Sequence, residues 1–128
     1  GRTCFSETAG NLYSHLILRG GKTSVNYDEE SVKRSIENLK EANLEPNLII
    51  DCSHDNCKVN GKKDYKRQLD VLDNVIAQIK NGNKNIKGIM LEVNINPGQG
   101  NERGLSRTDP CLGIYETIER LKKVYDVL

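Results

Sequence analysis

A chain of 128 residues, 29% of them charged but with a formal net charge of +1, has the length of one ordinary domain and no bulk electrostatic bias toward nucleic acid or an anionic membrane surface. Its apolar runs span only a few residues, too short to cross a bilayer, and no stretch reads as a secretory signal. The expectation is therefore a cytoplasmic protein with no membrane and no nucleic-acid partner. Its cysteines, Cys4, Cys52, Cys57 and Cys111, are even in number, but the chain is neither short nor cysteine-dense, so reduced thiols are expected rather than disulfides.

Residues 1–11 carry no periodicity and read as an extended lead-in. The first predicted strand covers residues 14–18 and runs into Leu16-Ile17-Leu18-Arg19-Gly20-Gly21-Lys22. Three aliphatics without polar alternation suggest a strand covered on both faces, and the glycines let the backbone turn and open its N–H groups to an anion. Residues 26–30 offer caps and early acids for a helix with Val32, Ile36 and Leu39 at helical spacing, closed by Asn43 and Pro46. The second strand covers residues 48–52. Residues 55–64 are polar, with Asn60-Gly61 as a turn and Lys62-Lys63 as solvated surface. A second helix presents Leu69, Leu72, Val75, Ile76 and Ile79 on one face and stops at Asn81-Gly82-Asn83. The third strand covers residues 86–92 or slightly more. Residues 94–107 are too rich in Gly and Asn for an element. A last helix over residues 112–128 is expected to bury Ile114, Ile118, Leu121, Tyr125 and Leu128.

The order is strand–helix repeated, an α/β pattern of three consecutive parallel βα units, treated as a single partial domain over residues 1–128. Right-handed crossovers make the strands parallel, so their exits share one edge of the sheet. Arg19, His54 and Glu92 stand at those exits, with Asp109 on the same side. His, Glu and Asp form a borderline-hard ligand set suited to Mn²⁺, Fe²⁺, Co²⁺ or Zn²⁺. An arginine beside a Gly-Gly turn suits a phosphate or carboxylate, with Lys22 in support. Structural roles compete at each position: an Arg19–Asp51 pair, a capping or bridging His54, a Glu92 ion pair and an N-cap at Asp109. Cys52 and Cys57 flank His54, but their spacing fits no usual zinc pattern.

Several stretches in order resemble the class I (type Iα) 3-deoxy-D-arabino-heptulosonate 7-phosphate (DAHP) synthases. They are Ile17-Leu18-Arg19-Gly20-Gly21-Lys22, Asn26-Tyr27 and Asp51-Cys52-Ser53-His54-Asp55-Asn56. Gln68-Leu69-Asp70-Val71, Gly88-Ile89-Met90-Leu91-Glu92 and Ser106-Arg107-Thr108-Asp109-Pro110-Cys111-Leu112-Gly113 continue the match. The resemblance implies strands six to eight of a (β/α)8 TIM barrel. It also implies a transferase that condenses phosphoenolpyruvate with erythrose 4-phosphate at the head of the shikimate pathway to the aromatic amino acids. By position, Arg19 matches the arginine that holds the phosphoenolpyruvate phosphate, and His54, Glu92 and Asp109 match three of the four ligands of a divalent metal ion. The expected partners are the two substrates, the remainder of the barrel or another chain, and further copies in a homo-oligomer.

The departures are specific. The family's cysteine ligand and its Lys-Pro-Arg-Thr loop have no counterpart here. Residues 93–105 form a shorter loop without the Glu-Gly-Asn-Gln run, Ile114 replaces a tryptophan, and the loop after His54 is longer. Two readings follow: a barrel portion active only when completed, or a non-catalytic remnant or stand-alone α/β module that binds an anion or a partner protein.

Overall fold

The computed structural model describes residues 1–11 and 13–126. Residues 1–10 are exposed and form no regular element, as the lack of periodicity predicts. The chain then builds β1 (Leu16–Leu18), α1 (Glu29–Glu41), β2 (Leu48–Asp51), a 3₁₀ turn (His54–Cys57), β3 (Lys58–Val59) and β4 (Lys62–Lys63). After these come α2 (Arg67–Lys80), β5 (Ile86–Met90), β6 (Val93–Asn94), β7 (Leu112–Gly113) and α3 (Ile114–Tyr125).

The main sheet has the order β1-β2-β5, and both pairings are parallel. Register aligns Leu18 with Ile50 and Ile50 with Ile89 in one row, and Leu16, Leu48 and Ile86 in another. Side chains alternate across a pleated sheet, so both rows face one way, toward α1 and α2; on β5, where Ile86 and Ile89 are three residues apart, a register shift opposite Leu48 and Ile49 keeps both on that face. There Leu18, Leu48, Ile50 and Ile86 join Val32 of α1 and Val71, Leu72, Val75 and Ile76 of α2 in the core. Ile17, which lies opposite Ile49, faces the other way and is 40% exposed. The first strand is thus covered on one face only, against the expectation from its unbroken aliphatics. An apolar run on a short strand records sheet position and leaves open which faces are covered.

The first helix forms as predicted. Asp28 caps it in an extended conformation, its carboxylate accepting from the Ser31 N–H at 2.9 Å, and Asn43 leaves it with φ at 57°. The second helix ends at Asn81 and Gly82, again as predicted, but its buried face differs in detail. Gln68 and Val71 are buried where Leu69 was expected. The third strand stops at Met90, because Gln68 takes the Glu92 backbone: its Oε1 accepts from the Glu92 N–H at 2.8 Å and its Nε2 donates to the Glu92 carbonyl at 3.3 Å. The following strand, β6, pairs with β7, and bridges from Gly98 to Cys111 and from Gln99 to Ser106 tie the irregular loop to itself.

The polar stretch after His54 is a small antiparallel hairpin, β3–β4, missed by the pattern analysis because its strands are two residues long. Its Asn60-Gly61 turn is the predicted one, with φ of 50° and 76°, the pair of positive values a tight primed turn requires.

The last helix departs most from expectation. It is rotated so that Thr117 is buried and Val124 packs against the core, with Arg120 paired to Asp73 of α2. Ile114, Ile118, Leu121 and Tyr125 are exposed instead, and Leu128 lies outside the described residues. The stripe is apolar as read, but the described residues supply no surface to cover it.

Candidate functional site

The exits of β1 and β2 are locked together by two asparagines. Asn56, fully buried, donates through Nδ2 to the carbonyls of Leu18 at 3.1 Å and Asp51 at 2.8 Å. Its Oδ1 accepts from the Asn26 N–H at 2.9 Å, and Asn26 Oδ1 accepts from the Gly20 N–H at 2.7 Å. Gly20 has φ of 83°, and a Cβ added there would lie 2.6 Å from the backbone of Asp55 and Asn56. Only glycine permits that approach, which also lets the Asp55 N–H donate to the Arg19 carbonyl at 3.1 Å.

Beside this lock stands a line of charged groups. Asp51, at the end of β2 and 2% exposed, accepts from the Ser53 N–H at 2.8 Å and sits 2.7 Å from His54 Nδ1. His54, whose φ of 44° turns the chain sharply into the 3₁₀ turn, presents Nε2 3.1 Å from Glu92 Oε1. The other Glu92 oxygen accepts from the Lys63 ammonium, which also lies 3.3 Å from Asp109 Oδ2. Burial alone would lower the Lys63 pKa, but the Glu92 and Asp109 carboxylates outweigh it and hold the amine above its ordinary value of 10.5.

Thus His54, Glu92 and Asp109 gather around one rim, as their positions at the strand exits suggest. His54 and Glu92 are in contact, and Asp109 is joined to them through Lys63. Asp109 does not cap α3; Gly113 begins that helix, its N–H donating to Glu116 Oε1 at 2.9 Å. Arg19 does not pair with Asp51, whose carboxylate is taken by His54 and Ser53. Arg19 instead lines a cleft of about 240 Å³ with His54, Asp55, Lys58, Lys63 and Asp109. Lys22 is elsewhere: it lines a neighbouring cleft of about 340 Å³ between the Gly-Gly turn and the hairpin, so it does not join Arg19. Asp55 and Lys58 border both clefts and form an ion pair, which with Arg19 nearby holds the Asp55 carboxyl below its usual value.

Three participants were missed in the sequence. Lys63 belongs to a basic pair inside a polar stretch, which reads as solvated surface, yet its side chain is only 12% exposed. Gln68 stands in the Gln68-Leu69-Asp70-Val71 stretch with no role assigned, yet it is fully buried and holds the Glu92 backbone. Asp51 was weighed only as a partner for Arg19; its Asp-x-x-His spacing to His54 was the signal available.

The donor set can be tested against a divalent ion. The His54 ring lies between two carboxylates, Asp51 at Nδ1 and Glu92 at Nε2. A ring that donates from Nδ1 to Asp51 can offer Nε2 to a cation shared with Glu92, and a carboxylate behind the ring is the usual support for a metal-binding histidine. The residues therefore fit such an ion in kind. Among the described residues no three His, Cys, Asp or Glu side chains are already drawn up as a cage, because Asp109 stands on the far side of the Lys63 amine. No described helix is long and apolar enough to cross a membrane.

The family model described as the DAHP synthetase I family matches residues 2–124. The chain belongs to this family. A Tyr-sensitive phospho-2-dehydro-3-deoxyheptonate aldolase of Enterobacter agglomerans is 42% identical over all of the chain, which covers 62% of that protein. The Tyr-sensitive enzyme of Escherichia coli K12 is 39% identical, with 37% of it covered, and the tyrosine-inhibited enzyme of Candida albicans is 41% identical, with 36% covered. A phospho-2-dehydro-3-deoxyheptonate aldolase structure from Francisella tularensis SCHU S4 superposes on 93% of the chain with a TM-score of 0.84 at 35% identity, and 35% of that structure is covered. The chain thus spans between about one third and two thirds of the length of these DAHP synthase relatives. Membership accounts for the parallel strands, for the order of the site motifs and for the three helices.

Proposed function

We propose that the chain is the C-terminal portion of a DAHP synthase, supplying the last three βα units of a (β/α)8 barrel that condenses phosphoenolpyruvate with erythrose 4-phosphate and releases phosphate. The observation that carries this reading is the convergence of one guanidinium, one imidazole and two carboxylates at the C-terminal rim of a parallel sheet. Barrel enzymes assemble their chemistry at that rim.

In this reading His54, Glu92 and Asp109 hold a divalent ion, of which Mn²⁺, Fe²⁺, Co²⁺ and Zn²⁺ suit the donors. When bound, the ion supplies Lewis-acid polarisation of the aldehyde oxygen. The chain's own residues do the rest of the work assigned here. Asp51 fixes the ring of His54. Arg19, free of any carboxylate ion pair among the described residues, offers its planar fork to the phosphate of phosphoenolpyruvate. Lys22 lines the adjoining cleft, where it serves a second anionic group of the bound substrates. The missing cysteine ligand and remaining substrate contacts come from the part of the barrel that this chain does not contain.

Complementation tests the proposal. The chain is assayed for product alone and after mixing with the N-terminal barrel portion of a DAHP synthase relative, with Mn²⁺ present. Activity is expected in the mixture and absent from either piece. A mixture of folded, associated pieces that stays inactive, while the relative split at the same point is active, would remove the catalytic reading and leave the anion- or partner-binding module.

A further inference from the structure

The metal reading leaves one group unexplained: the Lys63 ammonium stands among the very oxygens assigned to the ion. We propose that Lys63 is a resident counter-cation of the Glu92–Asp109 carboxylate pair, and that it must withdraw for a divalent ion to bind all three ligands, so that lysine and metal exclude one another. The inference rests on the reading of His54, Glu92 and Asp109 as metal ligands, and goes beyond it in giving Lys63 a role that reading does not assign.

The geometry is specific. One Glu92 oxygen faces His54 Nε2 at 3.1 Å and the other accepts from Lys63 Nζ, so both are engaged. The same amine reaches Asp109 Oδ2 at 3.3 Å and is the only link between the two carboxylates among the described residues. A compact ammonium with its charge at one point is the lysine group best able to stand in for a small cation. It satisfies two carboxylates that would otherwise repel each other at a half-buried rim. A divalent ion held at His54 Nε2 and Glu92 Oε1 that is also to reach Asp109 must take the place of the amine, which stands between the two carboxylates. Withdrawal is structurally easy. The hairpin carrying Lys63 is held by two residue pairs only, and its turn projects toward solvent, with Asn60 and Gly61 exposed. The lysine stem has four rotatable carbons, so the amine can leave without the backbone moving far.

Exclusion has a measurable consequence, because a site populated in its receptive state only part of the time binds with correspondingly reduced affinity. The experiment uses the full chain with Mn²⁺ as probe. Calorimetric titration of the native chain and of Lys63→Met, which keeps the stem and removes the charge, is expected to show binding tighter by about tenfold or more in the variant. Lys63→Gln provides a second uncharged variant should the first fail to fold by circular dichroism. Independently of any variant, acetylation of the native chain followed by mass spectrometry is expected to modify Lys63 slowly without Mn²⁺ and several times faster with it. Equal or weaker Mn²⁺ affinity in the variants, together with unchanged Lys63 acetylation, would overturn the counter-cation role while leaving the metal ligands standing. If neither the native chain nor the folded variants bind Mn²⁺, the ligand reading itself falls and takes the inference with it.

Discussion

In the metal site proposed above, Asp51 decides whether His54 can act as a ligand. The ring is held by a single short contact at Nδ1, and that partner is a carboxylate with almost no access to water. Replacing it with asparagine keeps the volume and the acceptor for the Ser53 N–H but removes the charge and allows the amide to donate to the ring instead. The Nε2 lone pair then loses its fixed direction. Asp51→Asn is expected to weaken Mn²⁺ binding by about 10- to 100-fold, the usual cost of losing the carboxylate behind a histidine ligand, read by calorimetry on the folded chain. Affinity unchanged by the substitution would reduce Asp51 to a structural acid. At this scale the sequence was legible where a polar residue ends an apolar run: Arg19 and Glu92 stand out for that reason, and His54 follows three residues after Asp51 ends the run of β2. Lys63 was not, because nothing in a Lys-Lys pair beside Asn-Gly distinguishes a caged ammonium from a solvated one. The same holds for Cys52. Its thiol is pushed up to about 12, first by burial and then by Asp51 and Cys57, a property of packing that spacing does not reveal.

At the level of elements, local chemistry was readable where capping and turn residues set the backbone, and unreadable where a distant surface decides. The start of α1 is the clearest case. Partial burial pushes the Asp28 carboxyl up, but its hydrogen bonds from Ser31, with help from Arg34, outweigh this and hold it below its usual 3.8. Asp28→Ala is expected to cost about 1 kcal/mol in urea unfolding near neutral pH. The sign of its pH dependence follows. A carboxyl with a depressed folded pKa contributes fully above the unfolded value and loses that contribution as pH falls through the folded one. The gap between native chain and variant should therefore close below about pH 4. A gap that persists in acid would mean the cap acts through packing. By contrast, the rotation of α3 could not be read from its own residues. Ile114, Ile118, Leu121 and Tyr125 form a regular stripe, and a stripe predicts burial only if something lies opposite it.

Among the described residues as a whole, that unmatched stripe is one of three open surfaces. The second is the helix-free face of the sheet, where Ile17 is 40% and Met90 is 37% exposed. The third is the pair of sheet edges, because among the described residues β1 and β5 each have a hydrogen-bonded neighbour on one side only. On α3, Ile114, Ile118 and Leu121 are each exposed to between 37% and 41%, close to the values on the open sheet face. Unpaired parallel edges beside exposed aliphatics are the combination that drives chains to associate. A closed barrel removes all three at once, since it leaves no edge strands and packs both faces of its sheet. The chain alone is therefore expected to self-associate as its concentration rises through the micromolar range, read by sedimentation velocity. Adding the N-terminal barrel portion of a relative should replace those species with a single one-to-one complex. Ile118→Glu, which charges the α3 stripe without touching the site, should weaken both the self-association and the complex. A chain that remains monomeric throughout, and that ignores the complementing portion, would mean these surfaces are tolerated by an independent α/β module, the rival to the barrel reading.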